Sequence, residues 1–313
     1  MTIFNRIKIM AANQLFSRLC NFDMGGLVAV AVIAVTLAAP MRLPAQASAV
    51  PSAAPTAPAG ADAEQRGHAL IDQAIQALGG DAWLNKTSMT AEGRGSSFFH
   101  GEPNPYVSEY HETVRFAQPK ATPPLSYATR IGFLTDRSMI LPGKKIDVIQ
   151  IFVDNKAYEI TYKGKTEVPK DLLADDIRRL DHSLGTVLQQ WIHAPGVMIV
   201  YEGQKLIDRH LADQVSVLTA ANDAVTLYID SSSHLPIRST FQYRDPQFHD
   251  FDEQSETYDD YHTFQGIATP LTVTRYHNGD MVGQTFFTKV TYNEPLPPDT
   301  FSPDAVSAKL KKK

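Results

Sequence analysis

Cysteine is almost absent. Cys20 is the only one in 313 residues, so neither a disulfide framework nor a cysteine-based zinc site can be built. A surplus of basic charge is also missing. Twenty-nine Lys and Arg stand against 34 Asp and Glu, a formal net of −5, which leaves no electrostatic footprint for nucleic acid. Hydrophobic runs are short. The longest apolar stretch, Gly25 to Ala39, has 15 residues and would span roughly 22 Å as a helix, against about 30 Å for a bilayer core. The usual catalytic signatures are missing too. There is no G-x-S-x-G and no H-E-x-x-H, and the Gly-Arg-Gly-Ser-Ser of residues 93–97 lacks the lysine of a phosphate loop. No catalytic residue, cofactor or metal is therefore expected.

What the first fifty residues do contain is an address. Arg6, Lys8 and Arg18 precede the apolar stretch, and the small-residue triplet Ala45-Gln46-Ala47 follows it. This order predicts a secretory signal peptide over 1–47, cut after Ala47; an uncleaved inner-membrane anchor is the alternative. A start at Met10 would still keep Arg18 as the basic end. Cys20 lies before the apolar stretch, whereas a lipid-modified cysteine would follow it. Loss of residues 1–47 takes the net charge from −5 to −8. Residues 48–62, rich in Ala and Pro, read as a flexible linker. The folded domain is expected over 63–305, with a basic, disordered tail over 306–313.

Within the domain, Leu70, Ile71, Ala74, Ile75 and Leu78 recur at helical spacing, with Gly79-Gly80 placed to end that helix. A second, longer helix is predicted over 170–193. Leu173, Ile177, Leu180, Leu184, Leu188 and Trp191 form its stripe, and Pro195-Gly196 its stop. Most of the remainder reads as strands. Asp154-Asn155-Lys156 and Asn278-Gly279 mark hairpins. Along 237–243, Ile237, Ser239, Phe241 and Tyr243 alternate with Arg238, Thr240 and Gln242. The expected class is α+β: one large curled antiparallel sheet of about ten strands, with two helices. A sheet of that size curls, and the 170–193 helix is the element available to lid its concave face.

The segment Val225–Tyr243, a strand ending in Ile-Asp that leads through a polar turn to Leu-Pro and a second strand, resembles an element of bacterial periplasmic carriers. With Gly203, Asp208 and Val217 before it, Tyr261–Tyr276 after it, and the opening ALGGDAWLNKTSMTAEGRG, the chain resembles the outer-membrane lipoprotein-sorting (LolA/LolB-like) superfamily across residues 67–301. The resemblance implies an unclosed β-barrel lidded by helices, with acyl chains in the apolar space between, and a periplasmic carrier of lipids or lipid-modified proteins.

An acyl chain needs only apolar volume, at about 0.8 kcal/mol per buried methylene. The candidate lining is Leu184, Leu188 and Trp191 from the helix, with Leu227, Ile229, Ile237 and Phe241 from the sheet. The expected function is non-enzymatic binding of an acyl lipid or lipid-modified protein. The alternative is a scaffolding envelope protein that binds a protein partner through its sheet edge or acidic face. Two other groupings carry less. His249 to Glu253, with Glu256, Asp259, Asp260 and His262, reads as a solvated acidic hairpin rather than a metal site. Asp181, His182 and Ser183 are consecutive and point apart on a helix, so they cannot form a triad. Gly93 and Gly95 read as relief for crowding or a bulge in a bent strand.

Overall fold

A computed structural model describes residues 60–311, except 120, 123, 137–142 and 246–249. The expected signal peptide, nearly all of the linker, and His249 lie outside the described residues. Helix α1 (Gly60–Leu78) and the short α2 (Asp81–Leu84) open the domain. Seven strands follow: β1 (Ser88–Phe99), β2 (Glu102–Pro103), β3 (Ser108–Arg115), β4 (Ala128–Asp136), β5 (Lys144–Val153), β6 (Lys156–Thr161) and β7 (Gly164–Glu167). Next come α3 (Lys170–Asp181), α4 (Leu184–Gln189) and a 3-10 turn (Trp191–His193). The second run of strands is β8 (Met198–Ile207), β9 (His210–Leu218), β10 (Ala224–Asp230), β11 (Pro236–Arg244), β12 (Phe251–Phe264), β13 (Ile267–His277) and β14 (Asp280–Tyr292), closed by α5 (Pro303–Lys311).

All fourteen strands belong to one antiparallel sheet, ordered β7-β6-β5-β4-β3-β1-β14-β13-β12-β11-β10-β9-β8, with β2 paired to β1. The sheet is not closed: β7 and β8 are its two edges. Its strands exceed the expected ten; β2 and β7, two and four residues long, carry no alternation that could mark them. The hairpins fall where their residues predict. Asp154-Asn155 (φ 49° and 56°) joins β5 to β6, and Asn278-Gly279 (φ 50° and 85°) joins β13 to β14. Two residues with positive φ match the twist of the strands they connect.

The sheet must be strongly curled. Helix α3 packs against β6 at one side, while its Arg178 guanidinium lies 3.8 Å from the centroid of the Tyr243 ring on β11. Eight strand spacings separate β6 from β11 in the sheet order, about 38 Å if flat at about 4.8 Å each. A helix of 12 residues is only about 18 Å long. Curling brings the two within reach, and the inside of the curl is the face that α3 crosses.

Residues directly opposite each other in the ladder share a face, so the register identifies the inner side chains. Ile199, Val215, Val217, Val225, Leu227 and Ile229 from β8–β10 point inward and are enclosed with Leu70, Ile71, Ala74, Ile75 and Leu78 of α1. Each large aliphatic side chain so buried contributes about 1.5–3 kcal/mol. Helix α1 begins at Gly60, well before the first residue of the apolar stripe at Leu70, and its Ala63 is already buried. It ends at Gly79 and Gly80 (φ 125° and 55°), where Gly80 N–H donates to the Ile75 carbonyl at 2.8 Å.

Two expectations need correction. The predicted single helix over 170–193 is broken at His182-Ser183. Ser183 Oγ accepts from the Thr186 N–H at 3.3 Å and so starts a new helix, and Trp191 falls in the 3-10 turn. The basic end is not a loose tail: residues 303–311 form α5. Phe301 and Val306 pack with Ala128, Ile149, Ile151 and Ile160 on the outer face of β4–β6, a second core on the far side of the sheet. With α2 and the broken pair, the described helices number five rather than two.

Candidate functional site

The inner face has two unlike halves. Over β8–β11 it is filled. Leu188, Leu227 and Ile229 have no accessible surface, Phe241 is buried, and Leu184 and Trp191 pack half-buried against them. Six of the seven candidate lining residues therefore come together, as parts of one core shared with α1 and α4. Ile237 does not join them. Pairing passes from Tyr228↔Arg238 to Ile229↔Pro236, so Ile237 is the extra residue of a bulge and drops out of the alternation read from the sequence.

His182 belongs to this filled half. Its ring stacks on Phe241 with centroids 4.2 Å apart and meets the Trp191 edge at 5.2 Å. Nε2 lies 2.9 Å from Asp223 in the β9–β10 turn, and Nδ1 lies 2.7 Å from the Arg178 carbonyl. Ser183 Oγ faces Thr186. The histidine thus pins the helix break onto the sheet, and Asp181-His182-Ser183 form no triad.

Over β3–β5 the inner face differs. Tyr110 and Glu112 of β3, Ile131 and Phe133 of β4, and Val148, Gln150 and Phe152 of β5 stand opposite one another by register. The rings of Tyr110 and Phe133 meet edge to face at 6.5 Å. Those of Tyr127 and Phe152 are 6.3 Å apart. Ile131, Phe133, Val148 and Phe152 are only half-buried and belong to neither core. Burial pushes the Glu112 carboxyl above the ordinary carboxylate range, and Thr129 Oγ1 donates to it at 3.4 Å.

Between the halves runs a low floor. Gly93 and Gly95 of β1 and Gly283 of β14 face inward on neighbouring strands. A Cβ on Gly93 would sit 2.9 Å from Tyr110 Oη and 2.8 Å from the Phe286 carbonyl. A Cβ on Gly283 would sit 3.3 Å from Arg275 Nη2. Tyr110 and Arg275 therefore lie down across strands that carry no side chain there. The β1–β14 register shifts between Glu92 and Gly93. Relief of crowding and a bulge, the two roles read from the sequence, both occur at this glycine.

On the far side of the floor, Glu256 of β12 is the cross-strand neighbour of Arg275 and of Ser239. Tyr258 Oη donates to Glu256 at 3.1 Å and lies 2.9 Å from Ser239 Oγ. Burial, with Glu256 beside it, pushes the Tyr258 hydroxyl far above its ordinary pKa. The polar members of the site lacked a sequence signal, because Arg275, Glu256 and Tyr110 are each single polar residues in alternating strands. Only the glycines at 93 and 95 hinted at the floor.

Elsewhere, an open pocket of about 330 Å³ lies at the turns around Arg209, His210, Leu211 and Asp230–Ser232, away from the inner face. Among the described residues, no group of three or more His, Cys, Asp or Glu is gathered to hold a metal. Among them also, no helix is long and apolar enough to cross a membrane.

No family model and no curated protein matches the sequence. Solved structures do match. A DUF1329 family protein from Desulfovibrio piger aligns with a TM-score of 0.50 at 12% identity, over 78% of this chain and 98% of that one. A domain named for outer-membrane lipoprotein sorting, from Vibrio parahaemolyticus, aligns at 0.49 and 7%, over 78% and 99%. A LolA superfamily protein from Nitrosomonas europaea aligns at 0.43 and 10%, over 76% and 98%. At 12% identity or less these likenesses are of fold alone, and the one shared with the DUF1329 family protein is an open antiparallel sheet with few helices.

Proposed function

We propose that this protein is an exported, non-enzymatic carrier that holds the acyl part of a lipid, or of a lipid-modified protein, on its inner face. The ligand lies over β3–β5, with α3 as its lid. One observation carries the reading. Ile131, Phe133, Val148 and Phe152 converge on the inside of a curled sheet yet remain half-buried, outside both cores. Apolar side chains on an inner face are normally sealed by packing, and an acyl chain would complete this one. The residues first considered, Leu184, Leu188, Trp191, Leu227, Ile229 and Phe241, then serve as the rigid wall behind the ligand. The predicted signal peptide supports a periplasmic location.

The scaffold reading has less support. An edge-docking partner needs a free strand edge. Gly67 of α1 sits so close to β8 that a Cβ there would lie 2.8 Å from the Ile199 carbonyl oxygen and 3.1 Å from the Tyr201 nitrogen. The other edge, β7, has only four residues.

The test is native mass spectrometry of the full chain expressed into a bacterial envelope, with lipid extraction. Bound acyl lipid is expected in the wild type. It should be lost from a Phe133→Asp, Phe152→Asp double variant that still melts cooperatively. A wild type free of lipid, or a folded double variant with undiminished lipid, overturns the proposal.

A further inference from the structure

Arg275 is a cation on the inside of the curl. Among the described residues, no carboxylate oxygen lies within 4.0 Å of its guanidinium and no hydrogen bond ties it down. Its neighbours are otherwise engaged. Glu256 accepts from Tyr258, and on α3 above, Arg179 is paired with Asp176. The guanidinium lies over the backbone of Gly283, with Nε and Nη2 3.4 and 3.3 Å from the missing Cβ position. It retains some accessible surface and so borders open space. Burial, with Arg179 adding like charge, makes its cationic form costlier than in water. An unpaired, partly desolvated guanidinium is an expensive arrangement. Its planar fork of donors is suited to a two-oxygen anion.

We infer that Arg275 is the headgroup site of the carrier and binds the carboxylate or phosphate of an anionic amphiphile whose chain runs over β3–β5. The inference rests on the acyl-binding reading and adds the class of headgroup. The geometry gives the path. From Arg275 the inner face of β14 and β1, where Gly283, Gly95 and Gly93 alternate with Thr285 and Ser97, leads to Tyr110, which lies over Gly93, and on to Phe133. Arg179 and Asp176 on the crossing helix, and Glu256, Tyr110 and Glu112 on the sheet, are charged and titratable groups whose fields reach Arg275.

The experiment is calorimetric binding of three ligands to the full chain: dodecanoate, dodecyl phosphate and dodecanol, all below their micellar concentrations. The two anions should bind more tightly than the alcohol. Arg275→Met should weaken the anions by roughly 10- to 100-fold, the range of a lost hydrogen bond to a charged group, and leave dodecanol unchanged. A preference for dodecanoate over dodecyl phosphate, or the reverse, separates a fatty acid from a phospholipid headgroup. Glu256→Gln removes the cross-strand carboxylate and should tighten anion binding, a check that stands even if Arg275→Met does not fold. If dodecanol binds and the anions bind no better, or if Arg275→Met weakens all three alike, the headgroup site is refuted. If none of the three binds, the acyl-binding reading itself fails.

Discussion

Lys86 offers a quantitative test of the core beneath the inner face. It is 8% exposed. Its ammonium lies 3.5 Å from the centroid of the Trp83 ring and 4.9 Å from that of Phe116, and it donates to the Trp83 carbonyl at 2.8 Å. The rings and the carbonyl favour the charged form, but removal from water outweighs them, and burial lowers its pKa from 10.5 to about 7. In the unfolded chain the amine keeps its ordinary value. Between about pH 7 and 10.5 the unfolded state therefore binds one more proton than the native state, and stability rises with pH. The penalty is present in full below pH 7. From pH 7 to 9.5 its relief amounts to about 3 kcal/mol, allowing for half-protonation at the lower end. The assay is urea unfolding of the wild type and Lys86→Met across that range. The wild type should gain about 3 kcal/mol relative to the variant. The tyrosines, whose ordinary pKa is about 10, are common to both proteins and cancel in the difference. Parallel stability curves for the two proteins would refute the reasoning.

Two further outcomes follow from the packing. Leu227 has no accessible surface, so Leu227→Ala should cost about 2–5 kcal/mol in chemical denaturation. Phe133→Ala, at a half-buried position, should cost clearly less and, on the proposed reading, reduce bound lipid. Despite a desolvation cost, hydrogen bonds from the hydroxyls and backbone N–H groups of Ser232 and Ser233 hold the Asp230 carboxyl well below the usual carboxylate range. The resulting stabilisation is present above the ordinary carboxylate pKa and is lost as pH falls through the folded one. Asp230→Asn should remove about 1.5–3 kcal/mol at pH 7 and flatten the acid limb of the stability curve.

The sequence made the sheet legible because inner and outer side chains alternate with period two, and because Asn-Gly and Asp-Asn punctuate the hairpins. It made α1 legible through a five-residue apolar stripe. It did not show the break at His182-Ser183, because the stripe of apolar residues continues in sequence across a change of direction that only the Ser183 cap and the His182–Asp223 contact impose. It misplaced Ile237 because a bulge adds one residue without altering composition. It read α5 as a basic tail because Lys309 and Lys311 dominate a helix whose anchors are Phe301, just before it, and Val306. The site itself was least legible. Fully buried walls and half-buried linings use the same residue types, and only the register separates Leu227 from Phe133.

The break at His182-Ser183 divides the segment that links the two sheet edges into parts with different energetic ties. Of the α3 residues, only Leu173 is buried, and the helix carries Asp171, Asp175, Asp176 and Asp181 with Arg178 and Arg179. In α4, which is half as long, both Val187 and Leu188 have no accessible surface. Lifting α3 would expose Leu173, about 1.5–3 kcal/mol by itself, with parts of the half-buried Leu172, Ile177 and Leu180, and would break the Arg178–Tyr243 stacking, about 0.5–2 kcal/mol. Lifting α4 would open the main core. An unbroken helix over 170–193 would tie these two costs together, so that uncovering the ligand face would mean unfolding. If α3 lids an acyl ligand as proposed, capping a new helix at Ser183 and pinning the corner through His182 on Phe241 would let the polar arm lift while the apolar arm stays. A curled sheet can in this way keep a stable core and an accessible interior on the same face.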